Sequence, residues 1–236
     1  MNRMIYLCVG LMVFLLGCGD RAENERLTQL KERLETENRS LKSSLTKFQP
    51  QFKRVEEINK RFSFLIAELK KVQARLVTNL GTIEVRFFPE DAPLHCMNFV
   101  ARAEGGFYNG TQFHRVIPGF MIQGGDPNSK DKDPYNDGQG GPAFHLPHEF
   151  NKHLHKPGIL STARTPNKTV GAGSQFFIMH GTSPNLDGSY TVFGEVTKGM
   201  DVVDKIANAP THQQDPRLRD HPIKPVIIQS VEIYKK

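Results

Sequence analysis

Phe113-His114-Arg115-Val116-Ile117-Pro118-Gly119-Phe120-Met121-Ile122-Gln123-Gly124-Gly125-Asp126 holds two short runs of β-forming residues, Gln112 to Ile117 and Phe120 to Gln123, around a Pro-Gly pair. β-Branched and aromatic side chains suit a pleated, half-buried surface, and Pro-Gly punctuates the chain between strands. Strand alternation places Arg115 on the face of Phe113 and Ile117. Similar runs bounded by turn residues recur at Arg75 to Leu80, Ile83 to Phe88, Gly158 to Ala163, Ser174 to Met179, Thr191 to Val196 and Val226 to Tyr234. Eight such segments predict a closed barrel or a sandwich. Two intervals read as helices. The first is capped by Asp91, has Pro93 near its first turn, carries Met97 and Val100 on one face and ends at Gly105-Gly106; the second runs from Met200 to Asn208 with Val203 and Ile206 inward. The Gly-, Pro- and Asp-rich stretch from Asp126 to Phe144 reads as a loop.

The opening stretch resembles the signature of the cyclophilin family of peptidyl-prolyl cis-trans isomerases. Further matches follow in the same order: Gly158-Ile159-Leu160-Ser161, Ser174-Gln175-Phe176-Phe177-Ile178, Leu186-Asp187-Gly188 and Val192-Phe193-Gly194. The resemblance covers residues from Ala74 to the C-terminus and implies a closed eight-stranded antiparallel barrel with a capping helix at each end. It also implies a reaction in which no bond is cleaved. Twisting an X-Pro bond breaks C–N resonance, and in the twisted state the prolyl nitrogen regains a lone pair that can accept a hydrogen bond. A guanidinium, always charged and with a planar fork of donors, suits that role.

On the resemblance, Arg115 is the catalytic arginine; without it, Arg115 would read as a solvent-facing strand residue. Phe120, Met121, Phe177 and Leu186 match the family's proline pocket, where exclusion of water strengthens the arginine's action. Gln123 and Gln175 match polar positions that orient the arginine and the peptide. The backbone around Ala163 and Arg164 is expected to bond an extended substrate, and Gly138 to lie beside a neighbouring subsite. Tyr190 stands at a pocket position that is histidine in many eukaryotic members. The chain has no tryptophan, and Asn185 stands where drug-sensitive members carry one, so weak cyclosporin binding is expected. Arg164 replaces a common asparagine and adds charge beside the groove, favouring acidic peptides. Non-catalytic peptide binding or scaffolding is the alternative; the Arg115, Phe120 and Gln123 set favours catalysis.

Upstream, residues 1–17 combine Arg3 with an apolar run from Ile5 to Leu16, about the length of a signal-peptide core and too short for a usual spanning helix. Leu15-Leu16-Gly17-Cys18 resembles the bacterial lipobox, which implies removal of 1–17 and lipid on Cys18. Cys8 leaves with the signal, so Cys96 is the lone thiol of the mature chain. The expected location is the bacterial cell envelope, lipid-anchored, with the barrel facing the periplasm or cell exterior.

Residues 18–73 are dense in charge and nearly free of glycine. Leu27, Leu30, Leu34, Leu41, Leu45, Phe48, Phe52 and Val55 recur at threes and fours, continued by Phe62, Leu65, Leu69, Val72 and Leu76. One apolar stripe of this kind marks a helical stalk or coiled-coil segment, with phase slips near Asn38 and Asn59 and a kink or new helix at Pro50. It would serve as a homo-oligomerising or partner-binding stalk, a chaperone-like clamp, or a helix packed on the next domain.

The 236 residues carry 31 Lys+Arg against 25 Asp+Glu, a formal +6 without the dense basic stripe of a nucleic-acid binder. His145, His148, His153 and His155 cluster in sequence without a recognised zinc spacing, so neither metal nor cofactor is expected. The expected partners are proline-containing polypeptides and a membrane reached through the lipid.

Overall fold

The computed structural model describes residues 21–165 and 171–235. The expected signal segment 1–17 and the lipid acceptor Cys18 lie outside the described residues.

Period-two patterning becomes period-two burial. In β1 (Val72–Thr78) the buried residues are Ala74, Leu76 and Thr78, and in β2 (Gly81–Phe87) they are Ile83, Val85 and Phe87. All eight expected strands form, continuing with β3 (Arg115–Ile117), β4 (Met121–Gly124), β5 (Ile159–Arg164), β6 (Ala172–Met179), β7 (Val192–Lys198) and β8 (Ile228–Lys235). Every pairing is antiparallel, in the order β3-β4-β6-β5-β7-β2-β1-β8.

The eight strands form an antiparallel half-barrel, and the expected closure is not confirmed, since among the described residues no ladder of named strands joins β3 to β8. The chain just before β3 still bonds the chain entering β8, through the bridge Gln112↔Ile227 and the bonds Gly110 N–H to Ile228 carbonyl (2.8 Å), Ile228 N–H to Thr111 carbonyl (2.8 Å) and Phe113 N–H to Val226 carbonyl (2.9 Å). β3 is three residues long, and the chain entering β8 carries Pro222 and Pro225, which lack the N–H a ladder needs.

Helix α2 (Pro93–Glu104) buries Cys96, Phe99 and Ala103 rather than Met97, which is exposed. Phe99 packs among Phe87, Tyr108, Phe176 and Phe193, with ring centroids 4.9–5.7 Å apart. Asp91 is not its cap. Glu149 accepts from Leu94 N–H (3.1 Å) and His95 N–H (3.0 Å), satisfying two orphan donors from far along the chain. Helix α3 (Met200–Ala207) buries Val203 and Ile206 as expected. It is entered through Gly199 at φ 92°, where a Cβ would lie 2.3 Å from the Thr82 carbonyl oxygen.

The first helix, α1 (Arg21–Leu69), runs through Pro50 without a break, which corrects the expectation of a second helix there. Proline removes one bond, to the carbonyl four residues back, and water can take that bond because the surrounding residues are exposed. The apolar stripe is exposed as well, Leu34 at 56% and Phe52 at 67%. Val72 and Leu76, read as its continuation, belong to β1. The chain divides into two compact units between Arg61 and Phe62.

Candidate active site

Sheet register gathers the expected residues. Arg115 on β3 lies opposite Gln123 on β4, Ile117 opposite Met121, and Gln123 in turn opposite Phe177 on β6. Neighbours across a ladder share a face, so a cation, an amide and an apolar surface meet at the sheet end. They line a cleft of about 120 Å³. Met121, Phe177 and Leu186 are buried in it, Phe120 is half-buried, and Tyr190 stands against Phe177 with centroids 5.8 Å apart. Ala163 and Arg164 form another wall, with the Arg164 guanidinium 4.5 Å over the Tyr190 ring and its Nε donating to the Ser189 carbonyl (3.0 Å).

Behind the apolar wall lies a polar support. His155 is buried with its ring stacked 6.0 Å from Phe177, its Nδ1 2.9 Å from Asp187 Oδ1 and its Nε2 3.2 Å from Ser161 Oγ. Ser161 donates to the Thr191 carbonyl at 2.9 Å. The backbone N–H and ring of His155 hold the Asp187 carboxyl below its ordinary value. Asp187 follows Leu186, so the same contacts hold the pocket's Leu186 in place.

The Gln123 amide donates to Gln175 Oε1 at 2.9 Å, which joins the two expected polar residues to each other. Gln175 donates onward to the carbonyls of Gly138 (3.0 Å) and Gly140 (2.8 Å). Those glycines line an adjoining depression of about 590 Å³, which shares Gln123, Ala163 and Arg164 with the cleft. Nine of the eleven expected catalytic and substrate-binding residues thus line the cleft, and Gly138 and Gln175 line its neighbour.

The partner of Arg115 is not legible in the sequence. The Arg115 Nε donates to Asp220 Oδ2 at 3.2 Å, leaving the terminal nitrogens of a half-exposed guanidinium for the cleft. Asp220 lies 105 residues away in a Pro- and Arg-containing loop, where no periodicity or motif marks it.

The histidine cluster separates into different environments. His153 pairs with Asp91 (3.0 Å) and stacks on Phe88, His148 stacks on Phe150, and His155 supports the pocket. Among the described residues no three His, Cys, Asp or Glu side chains group to hold a metal. Cys96 is buried with its thiol on the Phe193 carbonyl (3.3 Å), and burial raises its pKa, which disfavours the nucleophilic thiolate.

The cleft sets one guanidinium against an apolar pocket, an arrangement suited to binding an apolar ring and donating a charged hydrogen bond beside it. The family description "Cyclophilin type peptidyl-prolyl cis-trans isomerase/CLD" matches residues 73–233. A peptidyl-prolyl cis-trans isomerase of Acinetobacter baylyi is 42% identical over 178 residues, 70% of this chain and 87% of that protein. Peptidyl-prolyl cis-trans isomerase A of Dickeya dadantii is 40% identical over 181 residues, 74% of this chain and 91% of that one. The crystal structure of a Cryptosporidium parvum cyclophilin type peptidyl-prolyl cis-trans isomerase in the presence of the dipeptide Ala-Pro aligns with a TM-score of 0.62 at 32% identity, over 70% of this chain and 99% of that one. The chain belongs to the cyclophilin-type peptidyl-prolyl cis-trans isomerases, and is an isomerase of that class.

Proposed function

We propose that the cleft isomerises X-Pro bonds in extended polypeptides of exported proteins, and that lipid on Cys18 holds the enzyme to a membrane of a bacterial cell envelope, with the catalytic domain facing the periplasm or cell exterior. The proline ring enters the surface made by Phe120, Met121, Phe177, Leu186 and Tyr190. Backbone groups at Ala163 and Arg164 hold the flanking peptide extended. Arg115 donates to the prolyl nitrogen as the amide twists and its lone pair returns. Acceleration by about 10⁵ needs the barrier lowered by roughly 7 kcal/mol, within reach of a charged hydrogen bond to the prolyl nitrogen and of binding that favours the twisted form.

The observation that carries this reading is the Arg115 guanidinium at the edge of an apolar cleft, with Nε engaged and its terminal nitrogens available. The test is X-Pro exchange measured by NMR or a protease-coupled assay on the wild type and Arg115→Ala. A loss of about 100-fold or more in the folded variant is expected, and full activity would refute the assignment. The exposed apolar stripe of α1 favours a second role, in which the stalk recruits a partner or a second copy through coiled-coil packing. A concentration-dependent mass in sedimentation of the full chain would support self-association.

A further inference from the structure

We propose that Asp220 is a positioning residue for the isomerisation, acting through Arg115. The inference rests on Arg115 being the catalytic arginine. Arginine has many rotamers, and a donor that must meet one nitrogen in the twisted state has to be held near that place; a misplacement of about 1 Å can cost about 100-fold in rate. Gln123, opposite in register, bonds Gln175 instead. Asp220 engages Nε, the one guanidinium nitrogen nearest the side-chain stem, so the bond fixes the plane of the fork while both terminal nitrogens stay free to face the cleft.

Asp220 is itself built into the fold. Its backbone carbonyl accepts from Val116 N–H at 2.8 Å, tying it to β3 beside Arg115. The next residue, His221, has its Nε2 2.9 Å from Asp137 Oδ2, and both of those side chains are nearly buried. Tyr135 donates to Asp215 at 3.0 Å, and the Arg217 guanidinium lies 4.2 Å over the Tyr135 ring. These contacts clasp the loop bearing Asp220 to the loop bearing Gly138, so one clasp serves the arginine and the adjoining depression.

A carboxylate also offsets some of the positive charge that acts on the prolyl nitrogen. Positioning outweighs that cost here because the pair is open to solvent, Arg115 at 45% and Asp220 at 35%, and water screens the charge while the hydrogen-bond geometry persists. For the same reason the pair adds little to stability, which separates the proposed role from a structural one.

The test uses the full chain with saturation kinetics and NMR of the Arg115 Nε–H. Asp220→Ala is expected to lower kcat about tenfold with KM nearly unchanged and to shift and broaden the Nε–H signal. Asp220→Asn, which keeps an acceptor oxygen, is expected to stay within about threefold of wild type. Arg115→Ala/Asp220→Ala is expected to be no worse than Arg115→Ala, because a residue acting only through the arginine has nothing left to position. Should Asp220→Ala fail to fold, Asp220→Ser, whose hydroxyl is too short to reach Nε, takes its place with the same expectations. Wild-type kcat in the Ala or Ser variant, a change confined to KM, or further loss in the double variant would overturn the proposal. Wild-type turnover in Arg115→Ala would instead overturn the catalytic reading on which it rests.

Discussion

Gln123 and Gln175 face each other as donor and acceptor at 2.9 Å, and Gln175 spends its own amide hydrogens on the carbonyls of Gly138 and Gly140. Three pieces of chain, β4, β6 and the loop after Asp126, are thereby joined through one carboxamide. Gln175→Leu leaves those carbonyls and the Gln123 amide without this partner. The expected result is a loss of about 1–3 kcal/mol in stability and a raised KM with kcat less affected, since the lost bonds lie in the depression beside the cleft while the Asp220–Arg115 bond and the His221–Asp137 contact remain. Urea denaturation and saturation kinetics check both parts.

His114, next to Arg115, is 5% exposed, and burial lowers its pKa from 6.5 to about 4. The native ring therefore stays neutral where the unfolded chain takes up a proton. Stability from this group is fully present above about pH 6.5 and is lost as pH falls toward 4, by about 3 kcal/mol in all. Below that the native ring protonates too and the loss stops growing. His114→Gln should flatten this part of the pH profile in denaturation measured from pH 7 to 4.5; an unchanged slope would show that other groups dominate.

Arg164 lies between the cleft and the adjoining depression with its charge over Tyr190. A peptide carrying Glu beside its proline should lose about two- to fivefold in kcat/KM on Arg164→Ala, and a neutral peptide much less, the range expected for a surface ion pair. Raising salt to about 1 M should shrink the difference, because screening then acts within about 3 Å. Equal losses for both peptides would point to lost packing on the tyrosine instead.

The strands were legible because alternation is local: Ala74, Leu76, Ile83 and Val85 are buried as their spacing predicts. The length of the first helix was less so, since Pro50 argues for a break on local grounds and an exposed helix tolerates one missing bond. Asp91 reads as a cap because short acidic residues before a helix commonly are one, yet Glu149 supplies the bonds. The motif fixes the order of the pocket residues along the chain; that they line one cleft is a product of strand register.

By itself the sequence determined the elements and the residue types at the cleft, because side-chain alternation, proline and glycine act over two to four residues. Only the tertiary structure decided which distant groups meet: Asp220 with Arg115, His221 with Asp137, Glu149 with the start of α2. Those contacts join loops whose positions follow from how eight strands order themselves in space, and no local pattern of residues encodes a distance between loops. The bonds between residues 110–113 and 226–228 have the same origin, since they join chain segments more than a hundred residues apart.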